Sequence, residues 1–268
     1  FLRHECELRF LGNARQGRAA RMSTDKASVD AQIERLIQIE SHVHYGEPPP
    51  PDVPPFVFIE HDSSVLVSAP HGTRTFRNNT AEKWHEEDEF TASMALLLAE
   101  QCGVSAIANI WRDDAHDPNF NGECKYKEIL KRIVSAKNVR FVLDLHGARE
   151  DSDKLGAALV DLGTRKDNHS LEVKHRDVLA TKLRTNFGDQ AVSFDGFPAD
   201  KLETITGYCQ ATLRIQAVQI EMKPSVRVPV RRTDASVYAK LGAYSAPPGN
   251  VWKVLGVLAD FVRYLQSQ

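Results

Sequence analysis

The four cysteines of this sequence, Cys6, Cys102, Cys124 and Cys209, form no CxxC pair. That leaves no basis for a disulfide framework or a thiolate zinc site. Neither a GxGxxG stretch nor a GxxxxGK loop followed by Ser or Thr is present, so no glycine-rich cradle for phosphate is expected. No apolar run approaches the roughly 20 residues of a membrane span, and the N-terminus lacks the continuous apolar core of a secretory signal. Charge of one sign is missing as well. With 34 Lys+Arg against 36 Asp+Glu the net charge is −2, which removes the electrostatic case for nucleic acid or a membrane as the main partner. No segment repeats. The expected location is cytoplasmic, where scattered thiols stay reduced.

A length of 268 residues with 42% hydrophobic content suits one sizeable α/β domain. The opening "FLRHECELRFLGNARQGRAAR" is basic and aperiodic, whereas Met22 opens a more ordinary beginning. Residues 1–21 therefore read as an extension outside the core. Their arginines would suit a mitochondrial address, against which Glu5 and Glu7 argue. Val29, Ile33, Leu36 and Ile37 have helical spacing after a cap at Ser23 to Asp25. "GEPPPPDVPP", residues 46–55, reads as a stiff linker, which makes 22–55 a helical appendage and 56–268 the main domain. "FVFIE" and "VLVSA" flank "HDSS" and read as a hairpin or paired strands. Helices are expected over 88–102, 126–136, 171–187 and 251–265, with strands at "VSAIANI", "VRFVLDL", "GAALVDLG" and "IQAVQIEM". This alternation argues for an α/β sandwich with a mixed central sheet.

"VLVSAPHGTR" carries a strand into a glycine turn with His71 at the rim, and "RFVLDLHGAR" does the same with His146. Either histidine alone reads as a turn residue bonded locally. Two of them at strand ends, each followed by glycine, point to a shared ligand, since ligands of open α/β sheets sit there. Between them, "WHEEDEF" puts four acids before a helix. Most of that run has a plain explanation, as a solvated complement to the helix N-terminus. One acid turned inward would complete two imidazoles and a carboxylate, the ligand set of a catalytic zinc with an open position. Glu221, late in the apolar "AVQIEM", is costly unless it is paired or used. It serves either as a general base beside an activated water or as an ion-pair partner of Lys223 or Arg227. Arg74, Arg112, Arg149 and Arg227 follow strand ends and could grip a carboxylate, though any one of them could be a plain surface charge. The loop "RDDAHDPNF", with Asn119, lies where a binding loop would.

The stretches "SAPHG", "DLHGAR", "LVDLGT" and "VQIEM", in this order, resemble the N-formylglutamate amidohydrolase family over about Val65 to Val230. The resemblance implies a three-layer α/β sandwich of the zinc-carboxypeptidase, phosphorylase/hydrolase-like type. It implies Zn2+ held by His71, Asp88 and His146, with Glu89 the alternative to Asp88; the "D-x-x-T" spacing to Thr91 favours Asp88. It implies Glu221 as the catalytic base. The expected reaction is hydrolysis of an N-acyl amino acid amide, with Arg149 helping to hold the oxyanion and Arg74, Arg112, Asn119 and Arg227 available to substrate. Asp144, on His146's side of its strand, would orient an imidazole. One departure matters: the family pattern "D-x-N-R" reads "DPNF" here, with Phe120 in place of the arginine. Arg112, Arg149 or Arg227 could compensate, or the substrate could be another N-acyl compound or short peptide. "HGTR" places Arg74 where carboxypeptidases carry the glutamate of an HxxE pair, which argues against a standard carboxypeptidase. The alternatives are a carboxypeptidase-like zinc peptidase and an inactive relative that acts as a binding module.

Overall fold

The computed structural model describes residues 26–77, 83–166, 170–235 and 246–268. The expected extension at 1–21 and the cap at Ser23 to Asp25 lie outside them. Among the described residues the strands are β1 (Phe56–Ile59), β2 (Val65–Ala69), β3 (Thr75–Phe76), β4 (Trp84–His85), β5 (Ser105–Asn109), β6 (Phe141–Gly147), β7 (Val160–Gly163), β8 (Val192–Phe194) and β9 (Gln216–Met222). The helices are α1 (Lys26–Glu40), α2 (Thr91–Cys102), α3 (Lys125–Lys137), α4 (Val173–Phe187), the single turns α5 (Ile205–Tyr208) and α6 (Pro224–Arg227), and α7 (Pro248–Gln266). None of these helices is long and apolar enough to cross a membrane. Cys102, Cys124 and Cys209 are free thiols.

Seven strands form one sheet in the order β1-β5-β2-β6-β9-β7-β8. β5, β2, β6 and β9 run parallel, while β1 and β7 join antiparallel. Helices α1, α2, α4 and α7 cover one face through a core that includes Val67, Leu143, Leu145 and Ile220. The other face packs Leu66, Ile107 and Val142 against Tyr126, Leu130 and Ile133 of α3. This is the three-layer α/β sandwich with a mixed sheet that the sequence leads one to expect.

Two expectations fail. β1 and β2 form no hairpin, because β5 lies between them. Every residue of β2 is buried, as a central strand with helices on both faces requires, whereas β1 is half-exposed and takes the edge. Helix α1 is no detached appendage either. It packs on α2 and α7 and buries Ile33 and Leu36 in the main core.

Alternation along the central strands sets up the site. On the α3 face, Ser68, Asp144 and Gln219 lie in one register row, and His146, Glu221 and Asp161 lie in the next. The inner end of this face is apolar, and the carboxyl end carries polar side chains. The glycines after the two histidines answer to close approach. A Cβ on Gly72 would sit 2.5 Å from the Asn109 carbonyl oxygen, and one on Gly147 would sit 2.5 Å from an Arg227 guanidinium nitrogen.

Candidate metal centre

β2 ends in a turn held by the Asn109 side-chain amide, which donates to the Pro70 carbonyl at 2.7 Å. That turn brings His71 beside His146 at the end of β6, with ring centroids 4.9 Å apart. The Asp88 amide donates to the His71 carbonyl at 2.7 Å. Asp88 Oδ2 then lies 3.5 Å from His71 Nδ1 and 3.4 Å from His146 Nδ1. One ligand atom from each of His71, Asp88 and His146 falls within 4.8 Å of the others, and all three residues are buried.

The outer nitrogens settle what the inner ones offer. His71 Nε2 meets Asp117 Oδ1 at 2.7 Å, and His146 Nε2 meets Asp144 Oδ2 at 3.0 Å. An ionised carboxylate only accepts, so both Nε2 atoms carry a proton, and both Nδ1 atoms are left facing Asp88, where each can hold a second proton or a metal. His71 Nδ1 is buried without a hydrogen-bond partner. Two Nδ1 atoms and a carboxylate oxygen facing one another, each imidazole backed by a second carboxylate, fit a divalent cation of borderline softness once the inner protons leave. The electrostatics agree. Burial alone would lower the pKa of His71, yet Asp117 and Asp88 raise it, and Asp144 and Asp88 raise that of His146 further. Burial would raise Asp88, but the two imidazoles hold it well below the usual carboxylate range. The pocket calls for positive charge, from protons or from a metal.

The two backing carboxylates are themselves held. Arg77 Nε reaches Asp117 Oδ2 at 2.5 Å, and the Asn119 amide donates to Asp117 Oδ1 at 2.8 Å. Ser68 Oγ donates to Asp144 Oδ1 at 2.9 Å and contacts the Tyr126 hydroxyl at 3.0 Å. Replacing Asp117 by Asn should therefore weaken metal affinity by about 10–100-fold, measured by competition with a chromophoric chelator; unchanged affinity would remove Asp117 from the centre.

Glu221 lies directly across from His146 on β9 and accepts from Gln219 Nε2 at 2.9 Å. Burial raises its pKa to about 7, against the pull of His146. Neither ion pair considered for it forms: Lys223 Nζ donates to the Gly156 carbonyl, and Arg227 donates to the carbonyls of Met222 and Glu89.

The acidic run departs from its plain explanation. Glu87, Asp88 and Glu89 are all buried, and no acid lies in the first turn of α2. Each meets its own cationic partner: Glu87 the Arg74 guanidinium at 3.0 Å, Asp88 the two imidazoles, and Glu89 the Arg231 guanidinium at 3.5 Å. Asp88, not Glu89, converges with the histidines. Of the other residues singled out from sequence, Arg112 pairs with Asp114 and donates to the Gly46 carbonyl. The Asn119 side-chain oxygen accepts from the Ile205 amide. Arg149 is exposed and paired with Asp151. Around Phe120, where the expected arginine is missing, the Arg77 guanidinium stands 5.4 Å and the Lys201 ammonium 6.0 Å from the ring centroid.

Sequence reading missed Asp117 and His85. His85 stacks on His71 at 3.8 Å, and its Nδ1 donates to the Glu86 carbonyl at 2.7 Å. Burial, then His71, lowers its pKa to about 3, so it is a neutral imidazole with Nε2 as acceptor. The one local sign of Asp117 was the "DPN" turn, in which an aspartate binds the backbone two residues on.

No family model matches the chain, and no curated protein matches it at a significant level. Solved structures do match. The N-formylglutamate amidohydrolase from Ralstonia eutropha aligns with a TM-score of 0.51 at 13% identity, over 79% of this chain and 99% of that one. A gene product of Agrobacterium tumefaciens aligns at 0.50 and 10% identity, over 80% and 96%. A bacteriophage poly-gamma-glutamate hydrolase aligns at 0.48 and 14% identity, over 80% and 91%. At such identities the likeness is one of fold.

Proposed function

We propose that the chain is a zinc-dependent hydrolase that cleaves the amide bond of an N-acyl amino acid or a related small carboxylate. The observation that carries this reading is the convergence of His71 Nδ1, His146 Nδ1 and the Asp88 carboxylate beside a buried glutamate. The shared fold with an N-formylglutamate amidohydrolase supports it. His71, Asp88 and His146 would hold the zinc, which when bound supplies a Lewis acid that brings the pKa of a coordinated water to about 7 and polarises a carbonyl.

The chain's own groups do the rest. Asp117 and Asp144 keep both imidazoles in the tautomer whose inner nitrogen is basic. Glu221, poised near neutrality, takes the proton of the attacking water and delivers it to the leaving nitrogen. Lys201, which approaches Phe120 from another segment, offers a substrate carboxylate the positive charge that position 120 lacks, beside the Arg77 guanidinium that is already paired with Asp117. Arg149 would meet a developing oxyanion only by leaving Asp151, a surface pair that water screens and holds weakly.

The test is metal analysis of protein purified without chelator, together with a panel of N-acyl amino acids and short peptides. Stoichiometric zinc and faster cleavage of the N-acyl amino acids are expected. Preference for peptides would move the protein to the peptidase reading, and absence of both zinc and hydrolysis would leave a binding module.

A further inference from the structure

Helix α1 ends in Glu40, whose carboxyl is buried at 1% exposure and takes no part in the chemistry above. Burial pushes its pKa up to about 7. An apolar or amide side chain would fill the same space without that desolvation cost, so its contacts call for an explanation.

They lead to the turn that carries Asp88. Along this turn the backbone is fixed residue by residue. The Asp88 amide donates to the His71 carbonyl, and the Asp88 carbonyl accepts from the Thr91 amide at 3.1 Å and the Thr91 hydroxyl at 2.7 Å. The Glu89 carbonyl accepts from the Arg227 guanidinium. The Phe90 amide donates to Glu40 Oε1 at 3.1 Å. Phe90 is left-handed, with φ 67°, and caps α2 without a side-chain cap bond. A buried non-glycine residue in that conformation persists only where its surroundings over-determine it, and its amide would otherwise be an unpaired buried donor. Glu40 is fixed in its turn. The Tyr45 hydroxyl donates to its carboxylate. Arg232 donates to the carbonyls of Glu40 and Val43 at 2.5 and 2.7 Å while its guanidinium lies 4.5 Å above the Tyr45 ring.

We infer that Glu40 is a positioning residue for the metal centre: by holding the Phe90 amide it fixes the turn that sets the Asp88 carboxylate between His71 and His146. The inference rests on the reading of those three residues as a metal centre. Zinc dissociation constants, measured by chelator competition on the full chain, test it. Glu40→Ala should weaken zinc binding about tenfold or more, the size of effect known for groups that orient ligands. Glu40→Gln, whose amide oxygen still accepts from Phe90, should restore wild-type affinity. Leu36→Ala, which loosens α1 in the core without touching the turn, should lower thermal stability and leave affinity unchanged. Should Glu40→Ala not fold, Tyr45→Phe reads the same link, and a smaller loss of affinity is expected from it. Wild-type affinity in Glu40→Ala, or in Tyr45→Phe where that variant stands in, would overturn the inference, as would a loss in Leu36→Ala equal to that in Glu40→Ala. A wild-type protein that binds no zinc would instead sink the metal reading itself.

Discussion

Replacing Glu221 by glutamine should lower the hydrolytic rate by about 10²–10⁴-fold and leave zinc stoichiometric. Glutamine has the same shape and can still meet Gln219, so the pocket keeps its packing while the proton acceptor is gone. The pH profile adds a second reading. Burial places the Glu221 pKa at about 7, and only the ionised form accepts a proton. Below that pKa, kcat/KM should fall tenfold per pH unit. A bound cation favours the carboxylate, so the limb lies at or below pH 7, and the part of it that Glu221 contributes should be lost in the variant. Stability runs the other way. Free glutamate titrates near 4.5, so the metal-free fold retains a proton that the unfolded chain has released. That contribution is lost as pH rises through the window from 4.5 to about 7, and Glu221→Gln should flatten it. A variant that hydrolyses at the wild-type rate would remove Glu221 as base.

The second large effect separates neighbours in the acidic run. Asp88→Asn takes the carboxylate out from between the two imidazoles and should cost more than about 100-fold in zinc affinity, beyond what an outer partner contributes. Hydrolysis should fall with it. Glu89→Gln should leave zinc in place and lower the unfolding temperature, because it removes a buried negative charge that faces the guanidinium groups of Arg227 and Arg231. Metal content and thermal unfolding of the two variants decide the matter. Zinc lost from Glu89→Gln and kept in Asp88→Asn would reverse the assignment.

Much of this was legible in the sequence because it rests on local pattern. The apolar density of "VRFVLDL" marked a strand buried on both faces, and a histidine at its end before glycine marked the rim. Asp144 fell on His146's side by the two-residue period alone. What stayed hidden depends on partners far along the chain. The pairing of β1 with β5 is invisible locally, since "FVFIE" and "VLVSA" look like natural neighbours until burial on both faces claims β2 for the centre. The acids at 87–89 look solvated because Arg74, Arg231 and the two imidazoles reach them from other segments. Asp117 shares its loop with Asp113 and Asp114, and the "DPN" turn marks it as a turn residue without disclosing that it meets His71. His85 sits on a two-residue strand, too short to leave a period.

The histidines that converge on Asp88 stand at the tips of parallel strands β2 and β6, which the chain joins only after a long excursion through α2, β5 and α3. Parallel neighbours of this kind come together late in folding. On the proposed reading, an ion finds its three ligands together only once the sheet is assembled, and so stabilises the native state over the unfolded chain. Chelation would raise the fraction of chains open to proteases, so that starving a cell of zinc would thin out the protein as well as silence it.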